Sequence, residues 1–165
     1  MSSFQKPSSC LIHRDTINCH SSNRGLSLVY FKDADIDPPI RLLVKLLNSH
    51  LTVTAYSCGG HWKPKPISPY VSFFILDGKQ RAWERIWKRC RKDLAPFVSD
   101  VATLNVTETY ELPDCRRDWV MWHFIPTKGT LRDIFKTERD FRKTYDPLIS
   151  KTCWALRRAM REGRG

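Results

Sequence analysis

The chain has 165 residues, of which 41% are hydrophobic, which is enough for one domain with a buried core. This composition excludes a wholly disordered chain, and since no run of 18 or more apolar residues occurs, no membrane-spanning helix is expected. The net charge of +11 and the aromatic content of 12% favour an anionic partner, with RNA, DNA or a nucleotide as the first candidate. A surface that is simply basic and solvated is the alternative.

The N-terminal residues differ from the rest of the chain. Residues 1–24 are polar and rich in serine, and predict a flexible arm, whereas residues 25–165 predict a single domain. The arm has no apolar core of the secretory type. The six cysteines are scattered, which favours a reducing, cytoplasmic setting over a disulfide framework.

The first predicted elements are a strand at residues 26–31, a short helix and a second strand at residues 51–56. Asp37 is a candidate helix cap, with Pro38 or Pro39 in the first turn. The spacing i, i+3, i+4, i+7 then gives the helix one apolar face, formed by Ile40, Leu43, Val44 and Leu47.

The remaining elements follow in a regular alternation. A strand is predicted at residues 70–76 and a helix at about 79–94, whose apolar face is Trp83, Ile86, Trp87, Cys90 and Leu94. Two strands are predicted near 102–111 and 119–125, and alternation puts Val120, Trp122 and Phe124 on one face of the second. A helical C-terminal third begins with Thr130 as its cap, and Asp146-Pro147 is expected to restart the helix.

This order, β-α-β-β-α-β-β-α, predicts an α+β fold with a mainly antiparallel sheet, helices packed on one face and extra C-terminal helices. It begins like a ferredoxin-type split βαβ arrangement. The order of strands within the sheet is not fixed by the sequence.

The segment from Ser57 to Trp62 combines a hydroxyl, a thiol, two glycines, an imidazole and an indole. Glycines allow close approach to the backbone, and successive N–H groups in such a turn can bind an anion. The candidate ligand-binding residues are Asn48, Ser57, Cys58, Gly59, Gly60 and Trp62. The alternative is a tight turn with a small buried cysteine and a surface histidine, and Asn48 can equally serve as a backbone cap.

The helix at 79–94 carries a run of cations with few acids between them. Since like charges on one helix destabilise it, a polyanion is a reasonable counter-charge, and a solvated face is the alternative. The candidate nucleic-acid-binding residues are Arg81, Arg85, Lys88, Arg89 and Lys92.

A metal site is considered because Cys10-x-x-His13 and Cys58-x-x-His61 together supply four ligands of the kind that zinc prefers. The first pair lies in the predicted arm and lacks the flanking composition of a zinc module. No metal site is therefore expected, and zinc is an unlikely cofactor.

Asp37-x-Pro39-Ile40, the helix to Asn48-Ser49-His50, and the strand entering Ser57-Cys58-Gly59-Gly60 resemble the tRNA wybutosine-synthesising methyltransferase family. The resemblance implies an α+β fold unlike the Rossmann fold, S-adenosylmethionine as cofactor, and a modified guanine beside a tRNA anticodon as substrate. It also implies a ligand-facing set of Asp37, Asn48, Ser57, Cys58 and Gly60.

The resemblance covers only about residues 33–62. His61 stands where the family has Arg or Lys, and the family's downstream Gly-Gly-x-Trp strand is not found in this chain. The first hypothesis is an RNA-modifying enzyme in which Asp37 and His61 handle protons. A non-catalytic module that captures a nucleotide or nucleic acid, and a zinc-stabilised interaction protein, remain as alternatives.

Overall fold

The computed structural model describes residues 36–94, 102–111 and 118–163, and for residues 55, 56, 102–111, 118 and 119 it describes only the backbone. The predicted arm, the predicted strand at 26–31 and the Cys10-x-x-His13 pair lie outside the described residues.

The first described helix, α1, runs over Arg41–Leu47 and follows a 3₁₀ turn at Pro38–Ile40. The predicted apolar face is confirmed, because its four members are fully buried: Ile40, Leu43, Val44 and Leu47. Asp37 occupies the N-cap position of the 3₁₀ turn, but its side chain makes no capping hydrogen bond there. Its carboxylate instead contacts the Gly59 N–H.

Four strands form one antiparallel sheet: β1 (Thr52–Cys58), β2 (Tyr70–Ile75), β3 (Ala102–Glu111) and β4 (Asp118–Pro126). Their spatial order is β1-β2-β4-β3. Since β2 and β3 both pair antiparallel with β4, they run parallel to each other with β4 between them. Helix α2 (Gln80–Leu94) connects β2 to β3, so this part of the chain is a split βαβ unit.

One face of the sheet packs against the helices. Val120, Trp122 and Phe124 are buried on that face of β4, as the alternation predicted. Helix α2 contributes Trp83 and Trp87, whose rings lie 6.0 Å and 5.0 Å from the Trp122 ring. These large rings bury much apolar area and make the aromatic contacts that anchor α2 to the sheet.

The C-terminal third forms a short helix, α3 (Leu131–Ile134), and a long one, α4 (Glu138–Glu162). Thr130 caps α3 as predicted, in a reciprocal capping box with Asp133. The expected restart at Asp146-Pro147 is wrong, because α4 continues through Pro147. Buried side chains on both sides of the proline, including Tyr145 and Ile149, keep the two halves on one core-facing stripe, and this packing outweighs the lost backbone hydrogen bond.

The α+β prediction is confirmed, with helices on one face of an antiparallel sheet. In the described parts of the chain, no helix is both long enough and apolar enough to cross a bilayer.

Replacing Pro147 should stabilise the protein. Pro147 is exposed inside α4 and cannot donate a helical hydrogen bond, so Pro147→Ala should raise the free energy of unfolding by about 1–3 kcal/mol. Urea denaturation measures this. Ser150→Ala, at another exposed position of the same helix, is the control and should change stability by less than about 0.5 kcal/mol. A less stable Pro147→Ala would contradict this account of α4.

Candidate functional site

Strand β1 ends at Cys58, and the next two residues, Gly59 and Gly60, are buried. The Asp37 carboxylate accepts a hydrogen bond from the Gly59 N–H at 2.8 Å. A Cβ at Gly59 would lie only 2.8 Å from the Asp37 Cβ, so no side chain fits there. Glycine is therefore required at this position because the start of the helical region and the end of β1 come into contact.

The other side of the same backbone is held by α4. Arg142 donates hydrogen bonds to the carbonyl oxygens of Gly59 and Gly60, at 2.8 Å and 2.6 Å. Gly60 has a φ of +83°, and a Cβ there would lie 2.8 Å from the Phe141 ring. These backbone groups thus contact the chain's own side chains. The expectation that Gly59 and Gly60 contact a ligand stays a prediction.

The two residues predicted to handle protons, Asp37 and His61, do come together, and Cys58 joins them. The Cys58 Sγ lies 3.1 Å from the His61 Nε2, and the Asp37 Oδ2 lies 3.9 Å from the same nitrogen. Cys58 is fully buried, whereas the side chains of His61 and Asp37 are 21% and 31% exposed. In a nucleophile–His–Asp relay the carboxylate and the nucleophile contact opposite ring nitrogens, which is a different arrangement.

Asn48 and Ser57 have positions inside the fold. Asn48 ends α1, and its Oδ1 accepts hydrogen bonds from the N–H and the hydroxyl of Thr54, both at 2.8 Å. Asn48 occupies the C-cap position of α1, but its side chain ties the end of the helix to β1 and makes no bond to the helix backbone in the hydrogen bonds described. Ser57 is 5% exposed. A ligand contact for either residue stays a prediction.

Trp62 begins a closed loop beside the cluster. The backbones of His61 and Ile67 exchange two hydrogen bonds, of 2.9 Å and 2.8 Å, which fix the ends of the loop. An open cleft of about 840 Å³ adjoins it. Its lining comes from the loop and from the α3 region: Trp62, Lys63, Pro64, Pro66, Arg132, Phe135 and Lys136.

The cleft is cationic and aromatic. Lys63, Arg132 and Lys136 are exposed, Phe135 is buried, and Trp62 is partly buried with its ring 6.1 Å from that of Phe141. The nearest carboxylate along α3, Asp133, is used by the capping box, and its hydrogen bonds with Thr130 lower its pKa. Sequence reasoning identified Trp62 but missed the other lining residues.

The five predicted nucleic-acid-binding residues of α2 are all exposed. Arg81, Arg85, Lys88 and Lys92 are spaced i, i+4, i+7 and i+11, which places them along one side of the helix. The opposite side carries the buried residues Trp83, Ile86, Cys90 and Leu94. The α2 cations thus form a second basic surface, separate from the lining of the cleft.

Among the described residues, the reactive side chains of His123, Cys90 and Cys153 are wholly or partly buried. The Nε2 of His123 lies 3.0 Å from the Ser68 hydroxyl, and burial lowers the pKa of His123, as expected for a partly buried histidine with a hydrogen-bond partner. Burial raises the pKa of Cys90 to about 12 and that of Cys153 to about 11, so neither thiol ionises near neutral pH.

Comparison with known proteins gives no relative. No family model, no curated protein and no solved structure matches this chain.

Gly60→Ala should be strongly destabilising because two costs combine at this position. The positive φ alone costs an alanine about 1–2 kcal/mol, and the clash with the Phe141 ring adds about 1–3 kcal/mol. Gly78 separates the cost of the positive φ from the cost of the clash, because it has a φ of +72° and a Cβ there would meet nothing within 4 Å. Gly78→Ala should show only the first cost in urea denaturation. Equal losses in the two variants would contradict the packing role of Gly60.

Proposed function

We propose that this chain binds RNA, and that single-stranded nucleotide units of the RNA occupy the cleft beside Trp62. The observation that carries the proposal is the combination, around one open cleft, of a partly exposed indole with three exposed cations. RNA-binding proteins commonly pair a stacking platform with a positively charged groove in this way. The net charge of the chain, +11, acts in the same direction.

Trp62 is the stacking residue of this proposal. Its ring lines the cleft and is supported from behind by Phe141, with 6.1 Å between the ring centroids. The reciprocal hydrogen bonds of His61 and Ile67 close the loop that carries it, so little ordering entropy is lost on binding. Every base has a π-face, so a platform of this kind tolerates many sequences.

The cations Lys63, Arg132 and Lys136 come from two separate segments that border the cleft. Phosphates of one bound strand can be contacted from both sides, and each neutralised phosphate releases counterions. The volume of about 840 Å³ lies within the usual range for small-ligand sites, so one or a few nucleotides fit. The exposed cations of α2 offer a further surface for the same polyanion.

Methyl transfer is the finer hypothesis that the resemblance implies. Among the residues that the structure describes, the ligand-facing set of the resemblance has other engagements: the Gly59 N–H contacts Asp37, and Cys58 is fully buried beside His61. None of that set lines the cleft. A site for S-adenosylmethionine at these residues stays a prediction, and no methyl-transfer step is assigned to them. The cytoplasmic location likewise stays a prediction.

RNA binding through the cleft is tested by fluorescence anisotropy with a labelled single-stranded RNA of about 12 nucleotides. Trp62→Ala should weaken binding about 5- to 100-fold, which corresponds to one lost base stack. Lys63→Ala should weaken binding and reduce the slope of log K against log salt by about 0.7, which corresponds to one lost phosphate contact.

Trp154→Ala is the matched control, because Trp154 is 51% exposed on α4 and is not part of the cleft lining. It should leave the affinity unchanged. Unaltered binding by Trp62→Ala would overturn the proposal. If the Arg85→Ala Lys88→Ala variant lost binding instead, the interface would be the α2 surface. Calorimetry with S-adenosylmethionine tests the methyltransferase hypothesis separately: heat of binding would support it, and its absence would count against it.

A further inference from the structure

Three potential metal ligands converge at the end of β1. Asp37, Cys58 and His61 each offer one donor atom, and these atoms lie within 4.8 Å of one another. They come from the 3₁₀ turn before α1, the last residue of β1 and the turn that follows it. A carboxylate, a thiol and an imidazole are the three donor types that zinc uses in proteins.

We propose that Asp37, Cys58 and His61 bind a zinc-type divalent cation. With metal–donor distances of about 2.0–2.3 Å, tetrahedral donors lie about 3.3–3.7 Å apart. The separations from the His61 Nε2, 3.1 Å to the Cys58 Sγ and 3.9 Å to the Asp37 Oδ2, lie on either side of that range, and the third pair of donors lies within 4.8 Å. Small side-chain adjustments therefore bring all three donors to one ion.

The orientation of His61 favours metal binding over a proton relay. The thiol and the carboxylate both approach Nε2, and an imidazole can share only one proton at that atom. A cation at the same place contacts all three groups at once. Soft thiolate and imidazole ligands select zinc over magnesium or calcium.

The surrounding contacts hold the ligands in place. The Gly59 N–H donates to the Asp37 Oδ2, the type of outer contact that orients a ligating carboxylate. Arg142 fixes the Gly59 and Gly60 carbonyls on the other side of the turn. The backbone bridge to Ile67 positions the residue after that turn, His61.

The charges balance. A divalent cation bound by one thiolate, one carboxylate and a neutral imidazole gives a neutral site, and the Cys58 thiol releases its proton to solvent on binding. The guanidinium of Arg142 is a nearby positive charge, and Asp146 lies 3.6 Å from it and compensates that charge. Because Asp37 and His61 are partly exposed, water or another group can complete the coordination.

Cobalt(II) is the spectroscopic probe for this site. The full chain, stripped with a chelator, is titrated with Co²⁺, and we expect one ion per chain with thiolate-to-cobalt charge transfer and the d–d absorption of a four-coordinate ion. Zn²⁺ should displace the cobalt, bleach both absorptions and raise the melting temperature. No charge transfer and no thermal shift in the parent protein would overturn the proposal.

Three variants assign the ligands. Cys58→Ser should abolish charge transfer, and Asp37→Asn and His61→Gln should each weaken Zn²⁺ binding at least about 10-fold. His50→Ala removes an exposed imidazole outside the cluster and should bind zinc as the parent does. If Cys58→Ser fails to fold, the other two variants decide, and parent-like affinity in either overturns the site. RNA anisotropy on the same proteins keeps this outcome separate from the proposed function.

Discussion

The architecture around the site depends on one close contact, in which the Gly59–Gly60 backbone is held between Asp37 and Arg142. Asp37 lies before α1 and Arg142 lies on α4. The contact therefore joins the start of the described chain to its last helix through the end of β1. A buried peptide group without a hydrogen-bond partner destabilises the fold, and a charged side chain makes a particularly strong hydrogen bond to such a group. Once this contact forms, the positions of Cys58, His61 and Trp62 follow from chain connectivity.

Much of the fold was predictable because its signals are local. The burial of the α1 face and the alternation along β4 both follow from side-chain periods of 3.6 and 2 residues. Strand order depends on long-range pairing, so the insertion of β4 between β2 and β3 was not predictable. At Pro147 a local rule gave the wrong prediction. Proline usually interrupts a helix, but α4 continues because it buries an apolar stripe on both sides of the proline.

The sequence predicted which residues come together at the end of β1 better than it predicted the groups that they contact. The sequence predicted that a ligand approaches the backbone of Gly59 and Gly60, which stays a prediction; groups of the chain itself approach it closely, and a sequence cannot say which ones. The approaching groups are Asp37, Phe141 and Arg142, of which the last two lie about 80 residues further along the chain. Arg132, Phe135 and Lys136 were likewise not predicted as site residues. The four-residue helix α3 and its flanks line the cleft only because the loop after His61 packs beside them, and this packing is not visible in the sequence.

The two proposals meet at His61 but depend on different atoms of it. Its ring faces Cys58 and Asp37, whereas its backbone exchanges hydrogen bonds with Ile67 and closes the loop that carries Trp62. The backbone contacts need no metal, so the platform for a base is formed without one. A bound cation would still restrict the ring and thereby the residue at the base of that loop. Coupling between the two sites would then take the form of a modest change in RNA affinity, because the metal would restrict a loop that is already closed.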